Sequence, residues 1–220
     1  MNRWTDLETP HGSIRAWRSE PTGPSRGAVV VLQEIFGVNA HIRDVTDRFA
    51  HAGFVALAPA LFDPVERDVE LEYDAAGIAR GLALTRALGI DRAVDLANAA
   101  ATLLQAEGLR TGAVGFCWGG SIALLANTRL GLPSVSYYGG RNVQFLDEPL
   151  RTPMMFHFGS KDRSIPAADV ELHREAYPAA TVHVYPAGHG FNCEPRADYD
   201  AASAALAWQR SIEFFEENLR

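Results

Sequence analysis

Two cysteines in 220 residues, Cys117 and Cys193, are too few for a disulfide framework, and their spacing matches no zinc-binding pattern. The chain also lacks any run approaching the roughly 18 uninterrupted apolar residues of a membrane-spanning helix. Its start, MNRWTDLETPHG, has no basic segment leading into an apolar stretch of signal-peptide length, so a cytoplasmic protein is expected. Positive charge is scarce as well. Twenty basic side chains face 27 acidic ones, a net charge of -7, and the basic residues are scattered. No stripe exists to follow a phosphate backbone, which argues against nucleic acid as a partner. Internal repeats and low-complexity segments are absent too.

What is present is a globular composition, 47% hydrophobic and 21% charged, at a length that suits one domain over residues 1–220. Short β-branched or apolar runs recur at residues 28–33, 54–59, 112–116, 134–138, 154–159 and 181–185. Between them lie segments of helical spacing: HIRDVTDRFAHAG, one long Ala- and Leu-rich stretch from about 75 to 107, SIALLANTRL, and AADVELHREAY. Strand and helix therefore alternate, the pattern of an α/β protein with a mostly parallel sheet and helices on both faces. Residues 3–18 read as a preceding hairpin or edge. At the end, Trp208, Ile212, Phe215 and Leu219 stand at helical steps, predicting a terminal helix with that stripe in the core.

Gly115-Phe116-Cys117-Trp118-Gly119-Gly120 follows one of the apolar runs and precedes a helical segment. This is the glycine-x-nucleophile-x-glycine spacing of a sharp strand-to-helix turn. Such a turn strains the nucleophile's backbone, so neighbouring positions must lack a Cβ for the chain to pass. It also sets the sulfur at a helix N-terminus, where partial positive charge favours thiolate. A thiolate needs a base, and the base needs an orienting acid, in the chain order nucleophile, acid, histidine. Asp162 follows the run at 154–159 in Gly-Ser-Lys-Asp, ahead of Pro166, and His189 stands between two glycines after the run at 181–185. The other six histidines fall at the N-terminus, in predicted helices or within strands, where solvated or satisfied core roles fit better.

Gln33-Glu34-Ile35-Phe36-Gly37-Val38-Asn39, the cysteine motif, Tyr137-Tyr138-Gly139, Asp162 and Gly188-His189 together resemble the dienelactone hydrolase (carboxymethylenebutenolidase) family, along nearly the whole chain. The resemblance implies an α/β-hydrolase fold without cofactor or metal. It makes Cys117 the nucleophile, His189 the base, Asp162 its partner, and Glu34 the residue that holds the resting thiol and then moves aside. The backbone N–H groups of Ile35 and Trp118 would form the oxyanion hole. The implied activity is opening of an enol-lactone, dienelactone to maleylacetate, by a monomer or small homo-oligomer. Glu34 also has a reading of its own: a carboxylate ending an apolar strand is poorly solvated, so it should pair or carry a raised pKa.

Sulfur carries a consequence for substrate. A tetrahedral adduct expels its better leaving group, and a thiolate, of parent pKa about 8.5, departs far more readily than a simple alkoxide. Cysteine therefore suits a substrate whose own leaving group is stabilised, as an enolate is. Small-molecule lactones or activated esters are the expected partners, with a broad esterase or a small-molecule sensor as rival readings. The family grips its substrate carboxylate with two arginines, one on the segment before the nucleophile and one four residues after the histidine. The second position holds Cys193 in this chain. Arg80 and Arg141 are candidates for the anion site, with Phe36 and Phe191 as apolar walls.

Overall fold

The computed structural model describes residues 2–219, which form eight strands, six α-helices and one short 3-10 helix. They divide into two compact units, residues 2–112 with 219, and residues 113–218.

The first unit opens with β1 (Asn2–Leu7) and β2 (Ile14–Ser19), an antiparallel hairpin in which Trp4 faces Trp17 across the register. β2 then pairs antiparallel with β4 (Val55–Pro59), which pairs parallel with β3 (Ala28–Leu32), giving the order β1-β2-β4-β3. Every residue of β3 and β4 is buried, as their unbroken apolar runs require of strands covered on both faces. Between these two strands runs α1 (Ala40–His51), which packs on β2, β3 and β4. Asn39 caps it, its Oδ1 accepting from the Ile42 N–H at 3.2 Å while its Nδ2 donates to Tyr73 Oη at 2.9 Å.

The Ala- and Leu-rich stretch is two helices rather than one, α2 (Ala75–Leu88) and α3 (Ile90–Ala106). They part at Gly89, whose φ of +79° an α-helix does not admit.

In the second unit β5 (Thr111–Phe116), β6 (Ser134–Tyr137), β7 (Met154–Gly159) and β8 (Thr181–Tyr185) run parallel in that order. Parallel neighbours bring all their carboxyl ends to the same edge, which is where loops that carry chemistry gather in α/β sheets. α4 (Trp118–Leu130) packs on β6, and α5 (Ala167–Ala176) lies between β7 and β8 in sequence. The 3-10 helix Asn142–Phe145 was not expected from the sequence.

The terminal helix α6 (Ala201–Asn218) packs on β7, and of the expected stripe Phe215 and Leu219 are buried. Ser203, Ala204, Ala207, Ser211, Phe214 and Phe215 are buried, whereas Trp208 and Ile212 are only partly covered.

Candidate active site

The turn between β5 and α4 shows why its glycines are there. Cys117 holds a φ of +53°, a left-handed conformation that costs a non-glycine residue of the order of 1–3 kcal/mol and persists only where its surroundings fix it. Two backbone bonds do so. Its N–H donates to the Tyr137 carbonyl at 3.0 Å, and its own carbonyl accepts from the Gly120 N–H at 3.0 Å. A Cβ at Gly115 would stand 1.8 Å from the Gly119 carbonyl oxygen, so the strand can enter this turn only as glycine. Trp118 opens α4 immediately after the sulfur. First-turn N–H groups point out of a helix's N-terminal end, beside which the thiol is therefore placed.

The acid is fixed with equal economy. Asp162 follows β7 in a loop whose Ser160 and Lys161 N–H groups donate to Tyr185 and Ala187 carbonyls at 2.7 and 2.9 Å. Gly159 permits this approach, since a Cβ there would lie 2.3 Å from the Ala187 oxygen. One carboxylate oxygen accepts from the Ser164 N–H at 2.7 Å, and the other lies 2.7 Å from His189 Nδ1. Asp162 does not cap α5, where Pro166 takes that position.

His189 Nε2 in turn lies 3.3 Å from Cys117 Sγ. A carboxylate only accepts, so Nδ1 carries a proton and Nε2 faces the sulfur. The Asp162 side chain is fully buried and that of His189 is 15% exposed, which leaves the ring one open edge. Burial alone pushes the imidazolium down. The hydrogen bonds to Asp162 and Cys117, with their charges, outweigh it and raise the His189 pKa to about 10. Tyr138, itself at φ +39°, sets its ring 5.2 Å from that of His189. Nothing in its sequence neighbourhood pointed to this contact, because it joins two loops about fifty residues apart.

Comparison with known proteins follows the same lines. The profile of the dienelactone hydrolase family matches residues 14–219. The chain belongs to the dienelactone hydrolase family. A Synechocystis sp. protein provisionally named carboxymethylenebutenolidase is 35% identical, with 94% of this chain and 93% of that protein covered. Carboxymethylenebutenolidase 1 of Cupriavidus pinatubonensis is 30% identical over 92% of this chain and 91% of its own length. The crystal structure of a dienelactone hydrolase, so assigned provisionally, from Klebsiella pneumoniae superposes with a TM-score of 0.86 at 29% identity, covering 98% of each chain. This member of the dienelactone hydrolase family is accordingly a hydrolase with the α/β-hydrolase fold.

The family's other positions lie as follows. Glu34, next after the Gln33 that ends the apolar run, is fully buried, and Ile35 and Phe36 are buried beside it. Gln33 braces this segment, donating to the Glu34 carbonyl at 3.3 Å and accepting from the Leu61 N–H at 3.1 Å. Phe36 packs on Tyr73 with ring centroids 4.5 Å apart, and its carbonyl accepts from Leu71 at 2.9 Å. Arg80 is about half exposed and ion-paired with Glu66. Arg141, half-buried, donates its backbone N–H to Ser121 Oγ at 3.2 Å. Phe191 has no exposed surface and packs among Tyr137, Tyr138 and Tyr185. Cys193 is also fully buried.

Among the described residues no helix is long and apolar enough to cross a membrane.

Proposed function

We propose that this chain is a cysteine-dependent hydrolase of an enol-lactone or activated ester, working through a thioester on Cys117. The observation that carries the reading is His189 placed between two partners, Asp162 at 2.7 Å and the Cys117 sulfur at 3.3 Å. The thiolate attacks the acyl carbon, and the family resemblance assigns stabilisation of the oxyanion that forms to the Ile35 and Trp118 N–H groups. Collapse breaks the acyl–oxygen bond, and the departing enolate takes the proton of the imidazolium.

Acylation also changes the base. Once the sulfur is bonded to carbon it no longer carries charge or accepts a hydrogen bond, so two of the influences that hold the proton on His189 vanish. The ring, oriented by Asp162, is then able to take a proton from water. The hydroxide adds to the thioester, the second adduct expels thiolate, and the thiolate–imidazolium pair returns with a carboxylic acid as product. The family resemblance gives Glu34 the role of holding the resting thiol and moving aside before the thiolate attacks.

A specific observation favours a second reading, a broader esterase for activated esters. Arg80 is engaged by Glu66, and Cys193 stands where the family resemblance calls for an arginine. Both weaken the grip on a substrate carboxylate. Rates on an enol-lactone, with and without a carboxylate, and on its saturated analogue separate the two. The enol-lactone reading expects a steep preference for the unsaturated ring, and a flat profile would replace it with the esterase reading. For either, Cys117→Ala should abolish turnover; retained activity would remove both.

A further inference from the structure

A second hydrogen-bonded chain lies behind the triad, and the steps above do not use it. His157, in β7, is fully buried. Its Nδ1 lies 2.8 Å from Tyr185 Oη on β8, and its Nε2 lies 3.1 Å from Ser211 Oγ on α6. Ser211 Oγ is also 2.7 Å from Tyr137 Oη on β6 and 2.9 Å from the Ala207 carbonyl one turn back. The Arg210 guanidinium donates to Tyr185 Oη at 3.1 Å.

Donor chemistry sets the direction of each bond. A guanidinium cannot accept, so Tyr185 receives from Arg210; and because the Ser211 proton goes to the Ala207 carbonyl, His157 Nε2 is the donor to Ser211 and Nδ1 accepts from Tyr185. The ring is neutral, because burial, then His183 and Arg210, hold its pKa well below the usual range. It therefore carries its hydrogen on Nε2 and donates to Ser211. Ser211 spends its single proton on the Ala207 carbonyl and accepts from Tyr137. Three strands and the terminal helix are tied together by this chain.

It ends at the reacting groups. The Tyr137 carbonyl holds the Cys117 N–H at 3.0 Å, and the Tyr138 N–H donates to the His157 carbonyl at 2.8 Å. Tyr138 in turn lays its ring against His189. Two consecutive tyrosines thus touch the nucleophile through backbone and the base through a ring, and His157 is joined to both tyrosines. A left-handed Tyr138 keeps its conformation only while its surroundings insist on it. Buried polar chains of this kind seldom exceed an apolar packing of the same shape in stability, so their contribution is geometric.

We propose that His157 and Ser211 are positioning residues that set the Cys117–His189 distance through Tyr137 and Tyr138. The inference rests on the Cys117 and His189 roles given above. Tyr137→Phe removes one hydroxyl and leaves the ring. It should lower kcat about tenfold with KM held within about twofold, the scale expected of a sub-ångström misplacement of reacting groups. Alkylation of Cys117 by iodoacetamide, followed by peptide mass spectrometry, should slow in step, since it reads the sulfur without any substrate. Ser211→Thr, which keeps the hydroxyl, should recover most of the kcat that the isosteric Ser211→Val loses. Unchanged kcat and alkylation in Tyr137→Phe, or equal loss in the Thr and Val variants with only a lower Tm, would overturn the positioning role. Turnover by Cys117→Ala would instead defeat the triad reading and this inference with it, so the two failures are told apart.

Discussion

His189 and His157 are the same side chain in two buried settings, and their proton affinities move in opposite directions. Both are hydrogen-bonded through both ring nitrogens. Around His189 the partners are a carboxylate and a thiol, and the pKa is raised to about 10. Around His157 the partners are a tyrosine and a serine hydroxyl, and the pKa falls well below 6.5. Burial disfavours the imidazolium in each case, so burial is not what distinguishes them. The charge available to the partner is. A neutral hydroxyl can orient a ring without charging it, whereas a carboxylate and a thiolate make the charged ring the stable one. One region is thereby equipped for proton transfer and the other for holding geometry.

The largest effect should come from erasing that difference at its source. Asp162→Asn removes the carboxylate while keeping an amide of the same shape. It should cost about 10³- to 10⁴-fold in kcat/KM, the scale seen when a triad acid is neutralised. NMR titration should place the His189 pKa well below its present position near 10. Cys117→Ser comes next: an alcohol is not charged at neutral pH, so it stops supporting the imidazolium, and turnover of an enol ester should fall about a hundredfold or more. A His189 pKa unchanged in that variant would show the sulfur to be irrelevant to the contrast.

Tyr185→Phe probes the other region. It takes the donor from His157 Nδ1 and should lower stability by about 1–3 kcal/mol in urea unfolding, with a smaller effect on kcat than Tyr137→Phe. The smallest effect is on the pH dependence of stability. His157, His173 and His183 all have lowered pKa values, chiefly from burial. As pH drops below 6.5 the unfolded chain takes up protons that these rings refuse, so stability should fall on the acid side. His189 acts oppositely. Its contribution is complete below 6.5 and is lost as pH rises through about 10. Urea midpoints at acid, neutral and alkaline pH should therefore trace a dome, and His157→Gln should flatten only its acid limb.

Much of this was legible in the sequence where the signal is local. All six apolar runs are strands with ends within a residue or two, and residues 3–18 form the expected hairpin. Cys117, Asp162 and His189 were readable because each sits in a loop with its own glycine chemistry, and the structure joins them. The stretch from 75 to 107 concealed a break because Ala and Leu favour helix on both sides of Gly89. The α6 stripe was legible only at Phe215 and Leu219, for a different reason. Periodicity ranks residues by hydrophobicity, whereas the inner face here is occupied by Ala207 and Ser211, whose partners His157 and Tyr137 lie more than fifty positions away. Tyr138 was recognisable as part of a family motif, yet its contact with His189 depends on strand register that no local pattern encodes.

Intact-protein mass spectrometry tests the centre of this account most directly. The His189→Asn variant, mixed with an activated ester and quenched within seconds, should accumulate one acyl group, mapped by peptide analysis to Cys117 and released by hydroxylamine as a thioester is. An acyl group on any other residue, or wild-type turnover that survives Cys117→Ala, would contradict it.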